Sequence, residues 1–224
     1  KTLIKEKRVT VNGQVARNNN IHIDPTDDQI YVDEKKVLYR PYIYIMMNKA
    51  RGFLSATEDN RDKTVIDLLT DDYKHYKPFP VGRLDKDTEG LLLLTNDGKL
   101  AHHLTSPKKE IEKTYFAFIE GRVTEEDQQA FLRGVTLDDG YVTKPGYLTI
   151  LERGNTSKIE LTITEGKYHQ VKRMFASVGK KVTYLKRVRM GELKLDPNLA
   201  LGTYRELNEE ELSYCLSLIG VEGD

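Results

Sequence analysis

The run Val81-Gly82-Arg83-Leu84-Asp85-Lys86-Asp87-Thr88-Glu89-Gly90 is the stretch of this 224-residue chain best equipped for chemistry. It is polar, bounded by glycines, and followed at once by Leu91-Leu92-Leu93-Leu94, an apolar run suited to a buried strand. Catalytic side chains are commonly held on such a loop, carried by a rigid support. Asp85 lies close behind Arg83, and a carboxylate beside a cation stays ionised, ready to act as nucleophile or base. The same spacing also suits a tight turn in which Asp85 and Asp87 accept from backbone N–H groups. A third use of the Asp-x-Asp pair is to hold a divalent metal in a glycosyl or phosphoryl transferase, but no phosphate-binding glycine motif accompanies it. His22, His75, His102, His103 and His169 lack zinc-motif spacing with the single cysteine, Cys215.

These residues need elements to position them. The Asn12-Gly13 pair between Val9-Thr10-Val11 and Gln14-Val15-Ala16 predicts a hairpin, and Gln29 to Val32 a further short strand. Val37 to Arg40 is expected as a linker, with a boundary at Pro41. Strands are predicted over Tyr42–Met47, ended by a turn at Lys49–Gly52, and over Gly90–Thr95, stopped by Asn96-Asp97-Gly98. Others are expected at Thr114–Ile119 and Lys158–Thr164. Thr64 caps a short helix through Leu69. Thr124 opens a helix that Gly134 closes, with Phe131 and Leu132 facing inward. Over Tyr168–Val178, the apolar stripe Val171, Met174, Phe175, Val178 leaves His169, Lys172 and Arg173 on the opposite side. Asn208 caps a last helix whose inner face is Leu212, Cys215, Leu216 and Ile219, which makes Cys215 a core residue. About nine strands and four helices in irregular order predict an α+β fold with a mixed or antiparallel sheet.

Composition narrows the function classes. One cysteine excludes an internal disulfide framework and any multi-cysteine metal site, and fits a reducing compartment. The leucine run is far short of the roughly 20 residues a membrane span needs. No charged-then-apolar leader opens the chain, so a soluble protein of the cytosol is expected. Lys and Arg number 35, as do Asp and Glu, but the charge is segregated. Residues 165–194 hold nine Lys or Arg against two acids, and residues 1–17 hold five against Glu6. Acids gather at 24–34 and 205–224. Two basic segments on an otherwise acidic chain suit one surface that faces a polyanion, although ordinary solvated charge gives the same pattern.

The segment from Gly82-Arg83-Leu84-Asp85 to Asn96-Asp97-Gly98 resembles the signature of pseudouridine synthases of the RsuA/RluB type. Three more segments agree in order. Met47-Asn48-Lys49-Ala50-Arg51-Gly52 is similar to the family's first motif. Ser106-Pro107 followed by Glu112-Lys113-Thr114-Tyr115 resembles the segment that supplies its active-site tyrosine. Glu165-Gly166-Lys167-Tyr168-His169-Gln170-Val171-Lys172-Arg173-Met174-Phe175, followed by Leu185 to Gly191, resembles its third motif. Arg8 to Gly13 looks like the second half of an S4 RNA-binding domain. Lys113-Thr114-Tyr115, Thr143-Lys144-Pro145 and Tyr168 to Arg173 most resemble the branch that acts on small-subunit rRNA.

The resemblance implies a pseudouridine synthase fold with a mixed, mainly antiparallel sheet and a central basic cleft over residues 41–224. It implies the C-terminal part of an S4 domain over 1–40. The implied reaction isomerises uridine in RNA: the base is detached at N1, turned, and rejoined to ribose through C5. Asp85 would be the nucleophile, attacking ribose C1′ or pyrimidine C6. Tyr115 would stack on the flipped base, Lys172 would pair with Asp85, and Arg83 would fill the vacated space or touch phosphate. RNA contacts are expected from Arg8, Lys113, His169, Arg173, Lys186, Arg187 and Arg189. No cofactor and no metal are needed. The expected partner is 16S rRNA, free or in a partly assembled small ribosomal subunit. No membrane and no obligatory protein partner are expected, and a monomer suffices. The alternatives are a large-subunit rRNA synthase of the same family and a non-catalytic rRNA-binding module.

Overall fold

The computed structural model describes residues 1–38 and 40–220, in two units, Lys1–Pro41 and Tyr42–Asp224. In the first, α1 (Thr2–Lys5) precedes an antiparallel sheet of β1 (Val9–Val11), β2 (Gln14–Val15), β3 (Ile30–Val32) and β4 (Lys35–Val37), in the order β2-β1-β3-β4. The β1–β2 turn has positive φ at both Asn12 and Gly13, the backbone that matches strand twist in a two-residue hairpin. Asp33 and Glu34 do the same between β3 and β4. That second hairpin corrects the expected linker: Val37 belongs to a strand, and position 39 lies outside the described residues. The signal was weak because neither turn residue is glycine.

The second unit is built on a sheet ordered β13-β5-β7-β11-β8-β10-β9. Its elements begin with β5 (Tyr44–Lys49), α2 (Asp71–Lys74), β6 (Phe79–Pro80), β7 (Glu89–Thr95) and α3 (Gly98–Thr105). Then follow β8 (Lys113–Glu120), α4 (Glu125–Arg133), β9 (Tyr147–Glu152), β10 (Thr156–Ile163) and α5 (Gln170–Ser177). β11 (Lys181–Met190), β12 (Leu193–Lys194), β13 (Tyr204–Glu206) and α6 (Glu209–Leu218) complete it, with β6 paired to β7 and β12 to β11. Pairing is antiparallel except between β7 and β11, so the sheet is mixed. β7 explains the leucine run. Its side chains alternate, Leu91 and Leu93 entering one core cluster and Leu92 and Leu94 another, so both faces demand apolar residues. Gly90 sets the parallel seam: at φ +107°, any Cβ there would lie 2.2 Å from the Arg187 carbonyl oxygen.

Three local expectations need correction. Asn96-Asp97-Gly98 stops β7 but also starts α3, because Asp97 accepts from Lys99 N (3.1 Å) and Leu100 N (3.3 Å). In α4, Phe131 is buried but Leu132, one helical step of 100° further round, is 43% exposed. His169 has φ +47°, so α5 starts at Gln170, and Tyr168 and His169 belong to the turn before it. In α6, Cys215 is a core residue whose thiol burial pushes up to about 12. No helix among the described residues is long and apolar enough to cross a membrane.

Candidate active site

Asp85 lies on the loop 81–88 between β6 and β7, and the backbone of that loop is gripped from inside the fold. Lys49, fully buried at the end of β5, donates from Nζ to the carbonyls of Asp85 (3.1 Å), Lys86 (3.2 Å), Thr88 (2.8 Å) and Ala50 (3.1 Å). Burial pulls its pKa down to about 8, against the charges of Asp87, Asp85 and Glu89. Ser55 Oγ accepts from Leu84 N (3.1 Å) and donates to Leu84 O (3.0 Å). Thr88 N donates to Asp85 O at 3.0 Å and closes a turn. The turn therefore uses the backbone of Asp85 and leaves its carboxylate to other partners.

Those partners come from the far side of the cleft. Asp85 Oδ2 is 3.3 Å from Lys172 Nζ, and Oδ1 is 3.4 Å from His169 Nε2. Lys172 also donates to Asp87 Oδ1 at 2.8 Å, so the ammonium bridges both carboxylates. Burial works to lower the pKa of Lys172, but the Asp87 hydrogen bond and the two carboxylate charges together raise it. The Lys172 hydrogen bond in turn holds Asp87 below its ordinary value. Lys172 Nζ thus sits between the Asp85 and Asp87 carboxylates. Among the described residues no group of three or more His, Cys, Asp or Glu converges on a cation site.

Arg83, Asp85, Thr88, Tyr115, His169 and Val171 are among the walls of a cavity of about 70 Å³. A wider cleft of about 710 Å³ shares Arg83, Asp85 and His169, and adds Arg51, Lys86 and Lys172. Tyr115, on β8, stands opposite Leu161 and Arg187 on the neighbouring strands and packs against two core clusters. This packing holds the ring at the cavity wall. Among the described residues the buried Thr88 hydroxyl has no hydrogen-bond partner, an uncommon state for a hydroxyl that can both donate and accept.

The opposing turn, 166–169, is held through side chains. The buried Glu165 carboxylate accepts from Gln170 Nε2 (2.8 Å), Lys144 N (3.1 Å) and the Tyr141 hydroxyl. Gln170 Oε1 accepts from Lys167 N at 3.0 Å. Arg173 donates to Tyr168 O at 2.9 Å while its guanidinium pairs with Asp138 and Asp139.

Of the expected RNA contacts, the structure corrects Arg187. It is 3% exposed and its Nε donates to Leu91 O at 2.9 Å, so its charge lies inside the fold rather than on the surface. Alternate β11 side chains enter the fold, and Arg187 falls on the inward side with Leu185. Arg173 braces the turn rather than standing free. Arg189 is engaged by Glu112, Thr114 and Gly191, and Arg8, in the first unit, by Asp33 and Glu6. Lys186 is half-buried on β11. Lys113 lines a further cavity with Lys144 and Lys167, its pKa lowered by burial and by the charge of Arg187. Sequence reasoning missed Lys49, Ser55, Thr88 and the Glu165–Gln170 pair. A lysine closing an apolar strand was the one visible hint, at Lys49.

The RNA pseudouridylate synthase family profile matches residues 43–177. The RNA pseudouridine synthase YtzG of Bacillus subtilis, labelled uncharacterized, is 52% identical over 214 residues, which is 95% of this chain and 89% of the relative. Ribosomal small subunit pseudouridine synthase A of Escherichia coli is 40% identical over 211 residues, 94% of this chain and 90% of the relative. A crystal structure of a pseudouridylate synthase superposes with a TM-score of 0.73 at 35% identity, covering 96% of this chain and 91% of that one.

Proposed function

Since the chain belongs to the RNA pseudouridylate synthase family and is an RNA-modifying isomerase, we propose that its substrate is small-subunit rRNA, modified as in the position-516 type of 16S rRNA synthase. The assignment to the small subunit rests on 40% identity across nearly the whole length of synthases so named in Escherichia coli and Yersinia pestis. Asp85 is the nucleophile, and the observation that carries this is its carboxylate held between Lys172 Nζ and His169 Nε2 in the cavity that Tyr115 lines.

The chemistry follows from the groups present. A carboxylate attacks only as the anion, and the Lys172 ammonium favours that form. The anion attacks ribose C1′ or pyrimidine C6. The C1′–N1 bond breaks, the base turns, a C1′–C5 bond forms, and the bond to Asp85 breaks and returns its carboxylate. C5 then loses its proton and N1 gains one, so the product is an isomer and no cofactor is consumed. Tyr115 supplies an aromatic wall for the extruded base. Arg83, to which no ion pair is made among the described residues, fills the vacated space or meets phosphate. The first unit is assigned as the C-terminal part of an S4 domain that docks rRNA, and the protein acts as a monomer in the cytoplasm.

Tritium release from C5-labelled uridine separates the possibilities. Release is expected from 16S transcripts, free or in partly assembled subunits, and not from 23S transcripts. Release from 23S alone would move the protein to the large subunit.

A further inference from the structure

Tyr168 is 75% exposed, the most exposed of the large apolar and aromatic side chains among the described residues, although it lies beside the cleft that holds Asp85. Its ring is not loose. It stacks on His169 with centroids 3.8 Å apart and planes 16° from parallel. Its carbonyl is fixed by Arg173, itself anchored by Asp138 and Asp139, and His169 Nε2 lies 3.4 Å from Asp85 Oδ1. One ring face is thus covered, and the rest of a rigid, pre-oriented aromatic surface is left to solvent. Nothing in the fold is gained by presenting it so. The surrounding wall carries Arg51, Arg83, Lys86 and Lys167, charges that suit a phosphodiester strand.

We propose that Tyr168 is a stacking platform for the base next to the target uridine, so that base, Tyr168 and His169 form a three-ring stack leading to Asp85. The proposal rests on the reading of this cleft as the RNA site. Stacking suits that place because every base has a π-face, and the flanking nucleotide must be held while its neighbour is turned out of line. It also separates two tasks: cations draw the backbone in, and the ring fixes the register.

The chain contains no tryptophan, so Tyr168→Trp carries the only indole and reports directly on the platform. Its emission should be quenched by the rRNA transcript on which the wild type releases tritium, and not by uridine monophosphate. In filter binding, Tyr168→Phe should bind that transcript as the wild type does. Tyr168→Ala should bind about 5- to 150-fold more weakly, the equivalent of about 1–3 kcal/mol per stacked base. The slope of log affinity against log salt should be unchanged, since no charge is removed. An unquenched indole in a complex that filter binding detects would overturn the proposal. So would wild-type affinity in Tyr168→Ala, or a loss of kcat at unaltered affinity, which would mean that Tyr168 only shields His169. If the wild type modifies 23S instead of 16S transcripts, the small-subunit reading fails while the stack is tested on the 23S transcript by the same measurements.

Discussion

Loop 81–88 and turn 166–169 face each other across the cleft and are held by different means. The loop is gripped through its own carbonyls by the buried Lys49 ammonium and the buried Ser55 hydroxyl. The turn is held through side chains, with Glu165 and Gln170 inside and the Arg173–Asp138–Asp139 cluster reaching solvent. The hydrogen bonds to buried Lys49 and buried Glu165 are strong and costly to remove, whereas the solvent-reaching pairs of Arg173 contribute little. Asp85, the proposed nucleophile, and the Tyr168–His169 ring pair both need fixed placement, and each is braced, the first from the core and the second partly from the surface.

The contrast can be broken at several points, the largest effect first. Asp85→Asn keeps shape but cannot form the covalent bond, so turnover should fall by about 10⁴-fold or more while RNA affinity changes less than about tenfold. Tritium release and filter binding measure the two, and near-wild-type release would remove Asp85 as nucleophile. Asp87→Asn, tested alongside, should keep substantial activity. Lys49→Met strips four carbonyls of their donor and should cost about 3 kcal/mol or more in urea unfolding. Arg173→Met, in the turn, should cost less than about 1 kcal/mol. Equal costs would erase the distinction between the two regions.

Lys172→Met removes the ammonium that bridges Asp85 and Asp87 and keeps most of the stem. Activity should drop about 100-fold with stability changed by less than about 1 kcal/mol, and Lys172→Arg should retain more because it restores the charge. Identical rates for the two variants would show that another cation serves Asp85. Thr88→Val removes a buried hydroxyl without a partner among the described residues, so thermal unfolding should show a gain of about 1 kcal/mol. A loss would mean that the hydroxyl is satisfied.

The last test concerns pH. Lys49 releases its proton near pH 8 in the folded chain but near 10.5 when unfolded, so between these values the unfolded chain binds more protons. Stability from this group therefore rises as pH goes from 8 to 10.5. That gain should be missing in Lys49→Met when urea midpoints are compared at pH 7, 8, 9 and 10.

Much of the scaffold was legible because its signals are local. Asn12-Gly13 demanded positive φ, the leucine run demanded burial on both faces, and Thr124 and Asn208 carried the oxygens that cap helices. α3 was missed because one Asp-Gly step both ended a strand and capped a helix. Leu132 was misplaced because a single helical step separates core from solvent.

The sequence by itself determined the chemistry-bearing loop, the family it resembles, and the 3.6-residue stripe that turns Lys172 away from the core on α5. All three depend on residue type and short spacing, which the chain carries wherever it folds. Only the tertiary structure decided which charges are free. Arg187, Arg173 and Arg189 look alike in a basic segment. One is buried against Leu91, one is anchored by Asp138 and Asp139, and one is paired with Glu112. Their partners lie dozens of residues away in sequence, as do the three loop carbonyls that Lys49 binds. A charge acts through what it meets in space, and contacts across such distances are set by strand pairing and packing rather than by any local pattern.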